Sequence, residues 1–110
     1  MLNSICSGDQ LRVCLQGEID HFAALQLRRE LDNAIREEKI RKLYLDFTDV
    51  SFIDSSGIGM IIGRYKTMMA KGGEMSASGL SEGVNRLYHI AGLHRIIPIV
   101  EQQGGQYGKE

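Results

Sequence analysis

Hydrophobic and polar residues alternate near the start of the chain. Over residues 10–16, apolar side chains occupy every second position, and residues 7–9 before them are Ser-Gly-Asp. A period of two is typical of a strand with one buried face, and a Gly-Asp pair is typical of a tight turn. Together with residues 3–6, the pattern predicts a β-hairpin. We expect the second strand to end over residues 17–20 and Asp20 to cap the helix that follows.

Three later stretches repeat their apolar residues at the spacing of an amphipathic helix. They predict helices over residues 21–39, from Ser55 or Ser56 to about residue 70, and from a capping Ser81 to a closing Gly92. On the first of these helices, Asp32 and Arg36 have the i,i+4 spacing of an ion pair.

Short apolar runs between the helices predict further strands. Residues 43–47 follow a long helix, so we expect them to pair in parallel with an earlier strand and to lead into a polar loop over residues 48–54. Residues 74–78 and 96–100 are the remaining strands, and Pro98 places the last one at a sheet edge.

The predicted order of elements is β-β-α-β-α-β-α-β. This order favours one α/β domain over residues 1–101, with a mixed sheet of about four to five strands and helices packed on it. Residues 102–110 are rich in glycine and have no apolar periodicity, so we expect a disordered tail.

Composition and charge argue against several classes of function. A net charge of −1 without a basic stripe gives no reason to expect nucleic acid as a partner. The apolar runs are too short to cross a membrane and no export signal precedes them, so we expect a cytoplasmic protein. Cys6 and Cys14 are expected to be reduced and buried. His21, His89 and His94 lack metal-ligand spacing with the cysteines, so neither metal nor cofactor is expected.

Residues 46–59 contain the strongest candidates for function. They lie between a predicted parallel strand and a helix start, where open α/β sheets tend to place functional groups. The simplest interpretation is that Ser55 or Ser56 caps the helix. A serine hydrolase would need a glycine two residues before the serine, and the glycines here do not complete a dinucleotide or Walker loop. Catalysis is therefore not predicted.

Several motifs together resemble a known family. They are Gly17-Glu18-Ile19-Asp20, the strand over residues 43–47, and Phe52-Ile53-Asp54-Ser55-Ser56-Gly57-Ile58-Gly59. In these motifs the sequence is similar to the STAS domain family of anti-sigma factor antagonists. Residues 63–66, 72–75 and 86–93 are similar to its sporulation branch. The similarity extends to about Val100.

The resemblance implies a binding cycle. In that family the unphosphorylated protein binds an anti-sigma factor that is also an ATP-dependent serine kinase, and thereby releases a sigma factor for transcription. The kinase phosphorylates the serine directly after the aspartate, here Ser55. Phosphorylation abolishes binding, and a serine phosphatase restores it. The family's partner contacts correspond to Asp20, Asp54, Ser55, Ser56, Gly57 and Arg64.

The implied switch has a simple electrostatic basis. A helix start tolerates a phosphate, whereas the added negative charge is repelled by a closely docked acidic partner surface and loses its hydration against an apolar one. We expect four carboxylates to lie near Ser55, those of Asp20, Asp46, Asp49 and Asp54.

Other interpretations stay open at the level of sequence. Three alternatives are an interaction or sensor module of another signalling complex, a serine hydrolase that uses Ser55, and a structural subunit without regulation. For the individual residues, the alternative to partner binding is a plain structural role: Arg64 is a solvated helix residue, and Asp20 and Asp54 only form hydrogen bonds at helix ends.

Overall fold

A mixed sheet forms the centre of the protein. The computed structural model describes residues 3–101; the predicted tail over 102–110 lies outside them. The strands stand in the order β1 (Asn3–Ser7), β2 (Gln10–Ile19), β3 (Lys42–Ile53) and β4 (Glu74–Ser78). The first two form an antiparallel hairpin, and the last three run parallel.

Three helices complete the fold. They are α1 (His21–Ile35), α2 (Ser55–Ala70) and α3 (Glu82–Ile90), and a short 3-10 turn follows over Leu93–Arg95. The predicted mixed α/β class is confirmed, as is the parallel pairing of the third strand with an earlier one.

The core lies against the face of the sheet that carries the alternating apolar residues. Leu11 and Val13 of β2 pair with Leu43 and Leu45 of β3, and parallel pairing places all four on one face. The helices contribute further side chains to the same cluster, among them Leu31, Ile35, Ile61 and Met68. Full burial of one such aliphatic side chain contributes about 1.5–3 kcal/mol.

The third strand continues where the sequence predicted a polar loop. β3 pairs with β2 up to its last residue, Ile53, which lies opposite Ile19, although the register shifts twice on the way. Val50 and Ile53 are buried, while Ser51 and Phe52 are exposed. The loop prediction was wrong because this stretch faces solvent on one side and keeps only scattered apolar positions on the other.

The predicted last strand is reduced to a single bridge. Ile99 pairs in parallel with Ala77 of β4, the Ala77 N–H donates to the Pro98 carbonyl at 3.0 Å, and the Val100 N–H donates to the Ala77 carbonyl at 2.7 Å. Pro98 has no N–H with which to extend this ladder. The segment therefore lies at a sheet edge, as predicted, without forming a regular strand.

Two of the predicted helix caps are confirmed. The Asp20 carboxylate accepts the Ala23 N–H at 3.0 Å, and the Ser81 hydroxyl accepts the Val84 N–H at 3.3 Å. The first helix ends at Ile35, earlier than predicted.

Two further expectations were wrong. The Arg36 side chain donates to Asn33, so the expected pair with Asp32 is not formed. Both cysteines are free, but Cys6 is exposed on the edge strand β1 and Cys14 is only partly buried.

Tyr88 holds the C-terminal segment against the sheet. Its side chain is 1% exposed, its ring meets Phe47 edge to face, and its hydroxyl donates to the Ile97 carbonyl at 2.7 Å. Burial raises the pKa of Tyr88, so the phenol stays protonated and remains a donor.

We predict that Tyr88→Phe lowers the free energy of unfolding by about 1–3 kcal/mol, because it leaves a buried carbonyl without its donor. Urea denaturation followed by circular dichroism measures the change. Tyr65→Phe, which removes a hydroxyl from a half-buried tyrosine of α2, is the control, and we expect it to change stability by less than about 0.5 kcal/mol. Equal losses in both variants would contradict the role given to this hydrogen bond.

Candidate functional site

Two parallel strands end side by side with the same local sequence. Ile19 and Ile53 are paired at the ends of β2 and β3, and an aspartate follows each of them. The Asp54 N–H donates to the Ile19 carbonyl at 3.2 Å. Asp20 and Asp54 therefore lie side by side at the carboxyl ends of the two central strands, where α1 and α2 begin.

Asp54 caps the second helix. One oxygen of its carboxylate accepts the N–H groups of Ser56 and Gly57, at 2.9 and 3.1 Å. The interpretation that a serine caps this helix is therefore wrong. Ser55 is the first residue of α2, and its side chain is exposed. Because the aspartate accepts two of the free N–H groups at the helix start, a serine cap is not needed and the Ser55 hydroxyl is available for other chemistry.

The neighbouring serine has a different environment. Ser56 is half-buried, and its hydroxyl oxygen lies 3.3 Å from Nδ1 of His21, in the first turn of α1. Ser56 thus takes part in the contact between the two helices, whereas Ser55 faces solvent. Of the two hydroxyl groups, that of Ser55 is the more accessible to an enzyme or reagent in solution.

Gly57 lets the start of α2 lie directly on the strand ends. A Cβ atom at this position would come within 2.6 Å of the Ile53 side chain, 2.9 Å of the Ile19 side chain and 3.1 Å of the Ile19 carbonyl. These separations are shorter than van der Waals contact, so only glycine fits without displacing the core. Gly57 is buried, and in the free protein its role is close packing.

Arg64 lies two turns further along α2 and is 7% exposed. Its Nε is 3.0 Å from a carboxylate oxygen of Asp32 on α1. Burial lowers the pKa of Arg64, an effect that Asp32 opposes and Arg28 strengthens. The interpretation of Arg64 as a solvated residue is wrong, because it joins the two helices that carry the other site residues.

The expected cluster of four carboxylates is smaller than predicted. Asp46 accepts hydrogen bonds from the N–H and hydroxyl of Thr48, at 2.9 and 2.6 Å, and Asp49 lies 3.8 Å from the Cys14 sulfur. At about 3.3 Å per residue, these positions are about 23 and 13 Å from the end of β3. Asp20 and Asp54 remain as the acidic residues at the helix starts.

Two exposed aromatic side chains near the site were missed by the sequence analysis. Phe22, in the first turn of α1, is 80% exposed, and Phe52, near the end of β3, is 46% exposed. Neither belongs to the apolar stripe or strand face of its element. An aromatic residue that falls outside the predicted buried face of its helix or strand is the signal by which a sequence can reveal an exposed aromatic side chain.

The described part of the chain shows no group of three or more His, Cys, Asp or Glu side chains arranged to hold a metal ion. None of the helices within residues 3–101 combines the length and apolarity that a membrane span requires.

A family model described as the STAS domain matches residues 5–104. The chain belongs to the STAS domain family. The resemblance noted in the sequence is thereby confirmed. A curated relative, the anti-sigma F factor antagonist of Paenibacillus polymyxa, is 39% identical over 93 residues, which are 84% of this chain and 80% of the relative. The STAS-domain anti-sigma factor antagonists are regulatory binding proteins and not enzymes.

Solved structures share the fold of this STAS domain. The anti-sigma factor antagonist SpoIIAA in its unphosphorylated form has a TM-score of 0.82 at 24% identity, covering 97% of this chain and 92% of that chain. The Bacillus cell-fate determinant SpoIIAA in its phosphorylated form has a TM-score of 0.76 at 23% identity, covering 97% and 96%.

We predict that Gly57→Ala lowers the free energy of unfolding of this STAS domain by about 1–3 kcal/mol, because the new methyl group overpacks the strand ends. The matched control is Gly59→Ala, two residues further along the same helix, where a Cβ meets no atom within 4 Å. Its better helix propensity should raise stability by about 0.5–1 kcal/mol. Thermal and urea unfolding of both variants measure the difference, and changes of the same sign would contradict it.

Proposed function

We propose that this STAS domain is an anti-sigma factor antagonist switched by phosphorylation of Ser55. The unphosphorylated form binds an anti-sigma factor that is also an ATP-dependent serine kinase, and so releases a sigma factor. Phosphorylation of Ser55 abolishes this binding, and a serine phosphatase restores it. The observation that supports the proposal most directly is the exposed Ser55 at a helix start already capped by Asp54. Because the kinase uses ATP, this proposal places the protein in the cytoplasm.

The fold can accept a phosphate at this position. The added group stands at the N-terminus of α2, where the helix dipole stabilises negative charge by about 0.3–1 kcal/mol. No hydrogen bond that holds the helix start uses the Ser55 hydroxyl within the described residues. Solved SpoIIAA structures in both phosphorylation states share this fold, which supports a switch without refolding.

The partner, in contrast, meets a changed surface. A phosphoserine brings about −1.5 to −2 charge at neutral pH, beside a surface that already contains Asp20 and Asp54. The exposed Phe22 and Phe52 are suited to close apolar contact, which excludes water around the new charge. A penalty of about 3–4 kcal/mol weakens binding by two to three orders of magnitude, which suffices for a switch.

The predicted partner contacts differ in how they could act. The carboxylates of Asp20 and Asp54 each cap a helix through one oxygen at the carboxyl ends of the central strands, and the second oxygen of each can meet a partner. Ser56 and Gly57 contribute mainly through the shape of the helix start. Arg64 is largely buried, so it acts from inside the contact between α1 and α2.

We predict a single phosphate on Ser55 when the protein is incubated with ATP, magnesium and the anti-sigma kinase of the same genome. Mass spectrometry of the digested protein locates the phosphate. Ser51, exposed on β3, and Ser56, half-buried against α1, are internal controls in the same peptide region. Modification of Ser51 or Ser56 alone would refute the assignment.

We also predict that Ser55→Ala binds the anti-sigma factor as the unmodified protein does, whereas Ser55→Asp binds it about 100-fold more weakly or worse. Isothermal titration calorimetry measures both affinities. Ser4→Asp adds the same charge on the exposed edge strand β1 and should leave binding unchanged. Equal affinities of the two Ser55 variants would contradict the switch, and no binding by the unmodified chain would favour a module of another signalling complex.

A further inference from the structure

A groove of about 400 Å³ lies between α1 and α2, next to Ser56. Its floor is formed by small residues, Ala24, Gly59 and Gly63. A Cβ atom built on either glycine meets nothing within 4 Å. The groove is therefore open because these positions lack side chains, and it can be filled by substitution without disturbing the core.

The polar lining of the groove is basic. Arg28 and Arg64 line it together with His21 and Ser56, and no acidic side chain of the described residues does so. Asp32 lies 3.0 Å from the Nε of Arg64, but within residues 3–101 neither this Nε nor the Nη1 of the same guanidinium has a partner in hydrogen-bond geometry. A buried cation without a full set of acceptors is unfavourable, so the guanidinium of Arg64, which lines the groove, favours negative charge placed there.

The rim of the groove is partly apolar. Leu25 lines it and is 44% exposed, and Phe22 lies one turn before on the outer side of α1. A free small anion would leave this apolar surface in water, whereas a protein segment covers it. The combination of a basic interior and an apolar rim therefore favours a protein partner with an acidic side chain between apolar residues.

We propose that this groove binds an aspartate or glutamate side chain of the anti-sigma factor. The carboxylate is attracted by the two guanidinium groups that line the groove, those of Arg28 and Arg64. This inference rests on the proposed function and adds the chemistry of one contact. The contact also explains how the phosphate acts. Ser56 lines the groove and Ser55 is its neighbour in the chain, so a phosphoryl group on Ser55 repels the bound carboxylate.

The first test reverses one charge in the groove. Arg28 and Arg29 are adjacent, exposed residues of α1, and only Arg28 lines the groove. We expect Arg28→Glu to weaken binding of the anti-sigma factor at least tenfold in calorimetry, and Arg29→Glu to change it less than threefold. Equal affinities of the two variants overturn the groove proposal.

The second test fills the groove with an apolar side chain. We expect Gly59→Leu to keep the fold, because its side chain enters open space, and to weaken binding at least tenfold. Gly83→Leu on α3, also beside open space, is the control and should bind normally. Circular dichroism confirms that both variants are folded.

A third measurement separates repulsion at the groove from a general effect of charge. If the bound carboxylate is what the phosphate repels, the loss of affinity caused by Ser55→Asp is at least threefold smaller in the Arg28→Glu background than in the Arg29→Glu background. The same loss in both backgrounds overturns the groove proposal.

The outcomes distinguish the two proposals. If the unmodified chain binds and Ser55→Asp does not, while the groove variants behave like their controls, the groove proposal alone fails. If the unmodified chain does not bind the anti-sigma factor, both fail. If Arg28→Glu only converts a homodimer to a monomer, a second copy occupies the groove and the proposal is overturned.

Discussion

The fold and the site both depend on how closely the first turn of α2 approaches the ends of two parallel strands. At Gly57 the backbone of the helix lies where even a methyl group would collide with Ile19 and Ile53. This contact fixes the height and direction of the helix relative to the sheet. The positions of Asp54 and Ser55 follow from it, because they adjoin Gly57 at the start of the helix. Protein interiors accommodate such overlap poorly, so little variation is tolerated here.

The helix cap and the proposed phosphorylation site are neighbouring residues. Asp54 accepts two of the free N–H groups at the start of the helix, so the exposed Ser55 hydroxyl is not needed as the cap. If the serine itself were the cap, phosphorylation would remove a stabilising hydrogen bond and couple the switch to helix fraying. With the present arrangement, a phosphate changes the surface while the helix start keeps its hydrogen bonds. The order Asp-Ser in the sequence therefore has a direct structural consequence.

Local signals in the sequence were sufficient for much of this structure. Periodicity and capping residues gave the hairpin, the three helices and the caps at Asp20 and Ser81. The errors arose where distant residues decide the outcome. The end of β3 is a strand because it pairs with β2, and Asp32 pairs with Arg64 of another helix instead of its neighbour Arg36. The exposed Ser55 was placed correctly at the helix start by local sequence, but the groove beside it depends on the packing of two helices.

The pairing of Ile19 with Ile53 also determines when a partner can first recognise the protein during synthesis. The two strand ends are separated in sequence by α1, and both are needed to position the turn that follows Asp54. Parallel pairing across a helical crossover is a non-local contact that forms only after the intervening chain has been made. A nascent chain that has emerged only through α1 therefore presents one helix start without the other. A partner that recognises both helix starts has no assembled surface to engage until α2 has left the ribosome and docked.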